Sequence, residues 1–356
     1  MSATIDRSGW KRVRLGEVCK PCRGVRVVRS QLSQGRYLVY QNSLIPLGHY
    51  DKCNTPANTT FVIAAGSAGE IGYCDEPFWA ADDCFFLLPN QDVISKFLYY
   101  SLAAQQQHIS GLVRRGSVPR LARDIVGNLV LTLPDMAEQE KIVKSLTAID
   151  INISTIQSLV AKYEAIKKAT VNLLLEPKAG WKRMKLDEIC MCLDNYRKPV
   201  NEVERAGMQG DIPYCGANGI VDYVNDFTID DSIILIAEDG GYFDQYESRP
   251  IAYRMSGKAW INNHAHILKA KSDYCQAFIF YSLEHKDITP FITSGTRAKL
   301  TKGELSNIEI DTPSSFQKQR KIAEQISAID KVLADYKAQL EKARQLKDGM
   351  MSYFFG

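Results

Sequence analysis

The sequence predicts an α+β protein built as an internal repeat. Two β-rich domains of mixed strands and helices are joined by two long helices that pair as an antiparallel coiled coil, with pseudo-two-fold symmetry. Three observations lead there. An eleven-residue opening is written twice, β-rich runs broken by glycine turns fill each half, and each half closes on a long helical periodicity.

The opening "GWKRVRLGEVC" at residues 9–19 returns as "GWKRMKLDEIC" at 180–190, with seven of eleven residues identical. The halves also end alike. "RGSVPRLARDIVGNLVLTLP" (115–134) aligns with "SGTRAKLTKGELSNIEIDTP" (294–313), pairing Gly116 with Gly295, Ser117 with Thr296, Arg120 with Lys299, Leu121 with Leu300 and Arg123 with Lys302. "AEQEKIVKSLTAID" then faces "QKQRKIAEQISAID". The middles share little beyond Trp79 and Trp260. Each half is therefore a variable domain framed by shared ends, at 1–134 and 180–312. A shared helical tail follows each, at 135–179 and 313–356.

The tails are the most regular segments. Asp135 with Glu138, and Ser314 with Gln317, have capping-box spacing directly after a proline. Beyond them Ile142, Leu146, Ile149, Ile153, Ile156, Val160 and Tyr163 step by fours and threes. Ile322, Ile326, Ile329, Leu333, Tyr336, Leu340 and Ala343 do the same, with Lys167 and Lys347 in one shared slot. This is the seam of a coiled coil, each helix running about 38 residues and about 57 Å. Within the domains, residues 59–74 and 231–246 read as strands ending in glycine turns. Residues 91–109 and 274–292 have helical spacing, each just ahead of the shared basic loop.

The five-residue link "EPKAG" (176–180) cannot return the chain the roughly 50 Å that parallel helices would require. Antiparallel helices follow, with the two variable domains expected at opposite ends of a rod. Unlike heads at a fixed spacing suit the reading of two different half-sites on DNA.

Composition limits the alternatives. The chain is 45% hydrophobic and 24% charged, with no apolar run near the roughly 18–20 residues that cross a membrane. Its opening residues carry no secretory stretch, and nine cysteines follow no framework pattern. Reduced thiols in a cytoplasmic protein are the expectation. Residues 1–134 hold 15 basic against 10 acidic side chains, whereas 180–312 hold 15 against 20. Bulk phosphate attraction therefore does not run through the chain, and nucleic-acid contact falls to local clusters.

Catalytic patterns are missing. There is no Asn/Asp-Pro-Pro-aromatic methyltransferase motif, "EPFW" (76–79) lacking the second proline, and no Walker A sequence. "GSAGEIG" (66–72) reads as a turn needing positive φ, and "PDMAEQEK" as a helix cap. Cys19 with Cys22, and Cys190 with Cys192, read as buried thiols, since Cys19 and Cys190 are repeat equivalents in different domains. His264 and His266 alternate beside Asn262 and Asn263 without supporting ligand spacing. Neither a catalytic set nor a metal site is expected.

The order of parts resembles the specificity subunit of type I restriction-modification systems. The Gly-Trp-Lys openings, "GSAGEIGYCDEPFWAADDCFFLL" and "WINNHAHILK" resemble its target-recognition domains, and "PDMAEQEKI" and "PSSFQKQRKI" its conserved helical regions. The resemblance covers essentially the whole chain. It implies a non-catalytic subunit that reads a bipartite double-stranded DNA target. It also implies partners: two methyltransferase subunits carrying S-adenosylmethionine, and restriction (helicase-nuclease) subunits using ATP and Mg. The specificity subunit of a type IIB system, whose partner combines methylation and cleavage, fits the same parts. A coiled-coil adaptor whose heads bind proteins, and an enzyme with an unfamiliar site, stay open as readings of other classes.

DNA contacts are expected first at the paired basic loops: Arg114, Arg115, Ser117, Arg120 and Arg123 in the first half, Thr296, Arg297, Lys299 and Lys302 in the second. A glycine turn there presents a hydroxyl and cations to phosphates and base edges. Base readers should differ between the domains. Ser67 and Glu70, then Glu238, Asp239 and Tyr242, on non-matching turns, are candidates, as are Asn262, Asn263 and His264.

Overall fold

A computed structural model describes residues 7–293 and 298–356. The chain divides into two compact units, Met1–Ser158 with Lys337–Gly356, and Leu159–Tyr336. Each unit therefore takes in part of both tails, rather than ending where a helix begins.

In the first unit the strand Lys11–Arg14 pairs antiparallel with Val130–Leu133, Lys11 opposite Leu133. The two shared ends of the domain are thus the two strands of one ribbon. Leu131 and Leu133 face inward while Val130 and Thr132 face out, the period of two that fixes this register. A four-stranded antiparallel sheet follows, in the order Cys19–Arg23, Cys84–Pro89, Thr59–Ile63, Ile71–Cys74. A second sheet sets Tyr37–Tyr40 between Gly48–Tyr50 and Trp79–Ala80, the last pairing parallel with Val39 opposite Trp79. The helix Ser95–Ala104 buries Phe97, Leu98, Tyr100 and Leu102.

The second unit repeats this plan. Trp181–Lys185 pairs with Glu309–Pro313. One sheet runs Cys190–Cys192, Ala265–Ala270, Ile233–Ala237, Ala252–Met255, and Ile233–Ala237 is buried throughout. The other runs Gly219–Val224, Gln209–Gly216, Lys258–Ile261, Ile229–Asp230, with Tyr214 parallel to Trp260. The shared tryptophans now have a reason. Each lies on the parallel strand and donates its indole N–H to an upstream carbonyl at 2.8 Å, Trp79 to Val25 and Trp260 to Lys198. The helix Gln276–Glu284 occupies the place of Ser95–Ala104.

The long helices are Met136–Leu175 and Phe316–Phe355, 40 residues each. Asp135 Oδ1 accepts the Glu138 N–H at 2.8 Å, as its capping spacing predicts. Ser314 does not cap the second helix. Its hydroxyl donates to the Gly180 carbonyl at 3.3 Å, and the helix starts one residue later, with the Ser315 carbonyl accepting from Lys318 and Gln319. The extra residue between proline and glutamine in this copy moves the start.

Of the expected seam, Ile142, Leu146, Ile149, Ile156, Ile326, Leu333 and Ala343 are buried. Ile153, Val160, Tyr163, Ile322, Ile329, Tyr336 and Leu340 are half-buried. In the second unit the helices run antiparallel: Tyr163 meets Tyr336 at 5.4 Å, and four residues on Lys167 meets Asp330, six residues back. Ile322 and Ile326 serve the domain as well as the partner helix, since Val171, Leu174 and Leu175 of the first long helix pack on the same cluster. They pack into the domain core with Leu186, Phe278, Leu305 and Ile310, so the first turns of that helix dock on its own domain.

Two buried glutamines fasten these junctions. Gln139 accepts from the Ile94 N–H at 2.9 Å and donates to the Asp92 and Pro134 carbonyls. Gln319 accepts from the Cys275 N–H at 2.8 Å and donates to the Pro313 carbonyl. Among the described residues no helix is long and apolar enough to cross a membrane.

Candidate nucleic-acid interface

In the first unit Arg114 and Arg120 exchange backbone hydrogen bonds at 2.9 and 3.1 Å and close a tight loop over 115–119. Leu121 N–H donates to the Ala64 carbonyl and Gly66 N–H to the Pro119 carbonyl, laying that loop against the glycine turn that follows Ile63. Gly66 and Gly69 both have positive φ, as the sequence requires. Arg114, Arg115, Ser117 and Arg120 are exposed, and Ser67 and Glu70 are half-buried on the turn beside them. Arg115, Gly116, Pro119, Ser67 and Glu70 line one shallow depression. Arg123 is exposed in the first turn of the helix Arg123–Asn128.

The second unit builds the same junction from different residues. Thr293 pairs with Lys299, Lys299 with Asp239, and Leu300 N–H donates to the Glu238 carbonyl at 2.7 Å. Thr296 and Arg297 lie outside the described residues. Lys302 is exposed at the start of the helix Lys302–Asn307, which Thr301 caps through the Glu304 N–H at 3.2 Å.

Here the side chains hold one another. Lys299 Nζ lies 2.7 Å from Glu238, and Arg197 pairs with the same carboxylate. Burial alone would raise the Glu238 pKa, but hydrogen bonds from Lys299 and Arg197 outweigh it and the pKa is lowered. Asp239 is 2.7 Å from His264 Nδ1, and Arg249 lies 4.1 Å over the Tyr242 ring. Asn262 is buried and accepts from the His264 N–H at 2.8 Å, while Asn263 is exposed. Glu238, Asp239, Tyr242, Asn262 and His264 are thus already engaged within the domain.

Behind the loop sits a network that no sequence signal marks, its members being some 70 residues apart. His266, fully buried, reaches Asp194 through Nδ1 at 2.7 Å and donates through Nε2 to the Leu300 carbonyl at 2.8 Å. Asp194 also accepts from the Ile267 N–H and pairs with Arg197 at 3.2 Å. Burial pushes the Asp194 pKa up, but the His266 and Ile267 hydrogen bonds more than reverse this and the pKa is lowered. By strand register Glu238 and His266 correspond to Ala64 and Phe85 in the first unit, so there the same loop rests on apolar side chains.

Cys192, Asp194 and His266 bring donor atoms within 4.8 Å of one another. Those of Asp194 and His266 are already bonded to each other, and the Arg197 guanidinium supplies the positive charge there. Cys19 and Cys190 are buried, and burial, the largest cause, pushes each thiol up to about 12.

Comparison with known proteins places this architecture. The family model for the type I restriction modification DNA specificity domain matches residues 7–165 and again 178–343. The chain belongs to that family. It carries two specificity domains, and each match runs on into the long helix that follows its domain.

A protein of Haemophilus influenzae named as a type I restriction enzyme specificity subunit is 39% identical over 141 residues, 40% of this chain and 35% of that protein. The chain thus spans about a third of that relative's length. A Mycoplasma genitalium type I specificity subunit is 24% identical, over 90% of this chain and 87% of its own. One from Mycoplasma pneumoniae is 24% identical over 98% and 96%. The crystal structure of a type I restriction-modification S subunit from M. genitalium superposes with a TM-score of 0.81 at 20% identity, covering 98% and 96% of the two chains. At that identity the likeness speaks for the fold.

Proposed function

We propose that this chain is the DNA-reading subunit of a type I restriction-modification system. It reads a bipartite target, one half with each specificity domain, and uses its paired helices as the spacer and as the platform for its partners. Those partners are methyltransferase subunits, which carry S-adenosylmethionine, and restriction subunits, which use ATP and Mg. The chain itself performs no chemistry.

One observation carries this reading. Both domains build the same junction of basic loop and glycine turn, yet fill it with different side chains. A shared frame suits contacts to the uniform phosphate backbone, and divergent fillings suit two different base sequences. On that basis Arg114, Arg115, Ser117, Arg120 and Arg123 contact DNA in the first domain, and Thr296, Arg297, Lys299 and Lys302 in the second. Ser67 and Glu70, on the turn beside the first loop, and the exposed Asn263 are the most accessible base readers. Glu238, Asp239, Tyr242, Asn262 and His264 would have to exchange present partners for DNA.

Footprinting of the chain with its methyltransferase subunits tests the proposal. Two protected patches flanking an unprotected gap are expected. Protection of a single continuous patch, or none on any sequence, contradicts it.

A further inference from the structure

The hairpin next to the glycine turn differs between the domains in a way the repeat does not require. In the second domain Gly216 pairs with Gly219, so only Ala217 and Asn218 connect the strands. Asn218 Nδ2 donates to the Gly240 carbonyl at 2.8 Å, tying that short connection to the glycine turn. In the first domain the last pair of the hairpin is Val39 and Gly48, and residues 40–47 form an open loop. Val39 corresponds by register to Tyr214, which pairs with Asp222, so the second domain zips nearly the same length of chain, 215–221, into a tighter hairpin. Asn42, Leu44 and Ile45 are exposed in this open loop, Ile45 at 79%.

The loop is built to hold its position. Leu47 N–H donates to the Val39 carbonyl at 2.8 Å, and the Ser43 hydroxyl to the Ile45 carbonyl at 3.0 Å. The Asn42 carbonyl accepts the Ser67 N–H at 2.9 Å. Gly66 makes that approach: a Cβ there would lie 2.6 Å from the Asn42 carbonyl oxygen, at a backbone φ of +85°. Gly66 also donates to the Pro119 carbonyl of the basic loop at 3.2 Å. Three loops thus converge on one glycine: 40–47, the turn at 66–69, and the cationic loop at 114–120.

We propose that residues 42–45 are a specificity-determining element of the first domain, an inference that rests on the DNA-reading function above. The Asn42 amide would take the paired donor and acceptor of an adenine edge, and Ile45 would pack on a thymine methyl in the major groove. DNA is the fitting occupant because the loop with this exposed apolar tip meets, at Gly66, the loop that carries the exposed Arg114, Arg115 and Arg120, whose charge suits phosphates beside a base contact. The second domain, with its two-residue connection, reads its half-site without this element.

The test is selection from a random duplex DNA library by the chain bound to its methyltransferase subunits. Wild type, Asn42→Ala, Ile45→Ser and Gly66→Ala are compared, the last displacing the loop without replacing any of its exposed side chains. Discrimination at one or two positions of one half-motif should fall about tenfold or more, with the other half-motif unchanged. Two intact half-motifs in all three variants overturn this inference alone. So does loss of partner assembly with both half-motifs kept, which would make the loop a protein contact. A wild type that enriches no two-part motif overturns the DNA-reading function itself, and this inference with it.

Discussion

Lys167 and Asp330, one on each long helix, form an ion pair at 2.8 Å, and the Tyr281 hydroxyl donates to the same carboxylate at 2.6 Å. The repeat reproduces the arrangement with the helices exchanged: Lys347 lies 2.7 Å from Asp150, which accepts from Tyr100 at 2.7 Å. In each unit a tyrosine of the domain, an aspartate of the helix that follows it and a lysine of the other helix make one cluster. Burial alone would lower the Lys167 pKa, but the hydrogen bond to Asp330 and the Glu284 charge outweigh it and the pKa is raised.

Loss of that lysine strands a half-buried carboxylate. Lys167→Met should cost about 2 kcal/mol of unfolding free energy. A double-mutant cycle with Asp330→Asn in urea titrations should return a coupling of about 1 kcal/mol or more. Strictly additive losses would mean the pair contributes nothing.

Gln139 is fully buried with three backbone partners. Gln139→Leu keeps the volume but leaves the Ile94 N–H without its acceptor, and should cost about 2–3 kcal/mol. Gln319→Leu should behave alike at the other junction. A change in melting temperature within about 1 °C of zero in both variants would show that water or a rearranged backbone replaces the amide.

The seam carries a larger effect. Leu146 and Leu333 are both buried, and an unpaired carboxylate at either place should cost about 4 kcal/mol or more. Loss of helical circular dichroism and of partner binding is expected for Leu146→Asp and Leu333→Asp. Unchanged complex formation would refute the seam.

Glu238 and Asp194 give the second domain an acid-sensitive term. Their folded pKa values are lowered from 4.5 and 3.8, so as pH falls the unfolded chain takes up protons first. The stabilisation is complete above those unfolded values and is lost as pH drops through the lower folded ones. Glu238→Gln should therefore lose less melting temperature between pH 7 and pH 3 than wild type. An equal or steeper fall would show that the carboxylate is not held by Lys299 and Arg197.

Arg120 is exposed on the cationic loop of the first domain. Arg120→Ala should weaken DNA binding to a similar degree on every sequence and flatten the log–log salt slope by about one. A changed target sequence at constant slope would make Arg120 a base reader.

Much of this architecture is legible in the sequence because it is written twice. The repeat marks both long helices and the Gly-Trp-Lys strands, and aligns Tyr100 and Tyr281 by the helices that carry them. What it does not mark is pairing between distant strands, such as Lys11–Arg14 with Val130–Leu133, since neither segment alone says what it faces. At Ile322 and Ile326 a four-three spacing serves a domain core as well as a partner helix, a double use that spacing alone does not reveal. The candidate site is half legible. Glycine spacing places the turns and the basic loops, but the Asp194–Arg197–His266–Glu238 network and the 40–47 loop exist only through contacts made on folding.

The central claim is that the two domains read the two halves of one interrupted DNA sequence. Methylome sequencing of a host expressing this chain with its methyltransferase partner tests it most directly. Methylation confined to an asymmetric motif with a fixed gap of unspecified bases is predicted; methylation at a continuous motif, or none attributable to the chain, would contradict it.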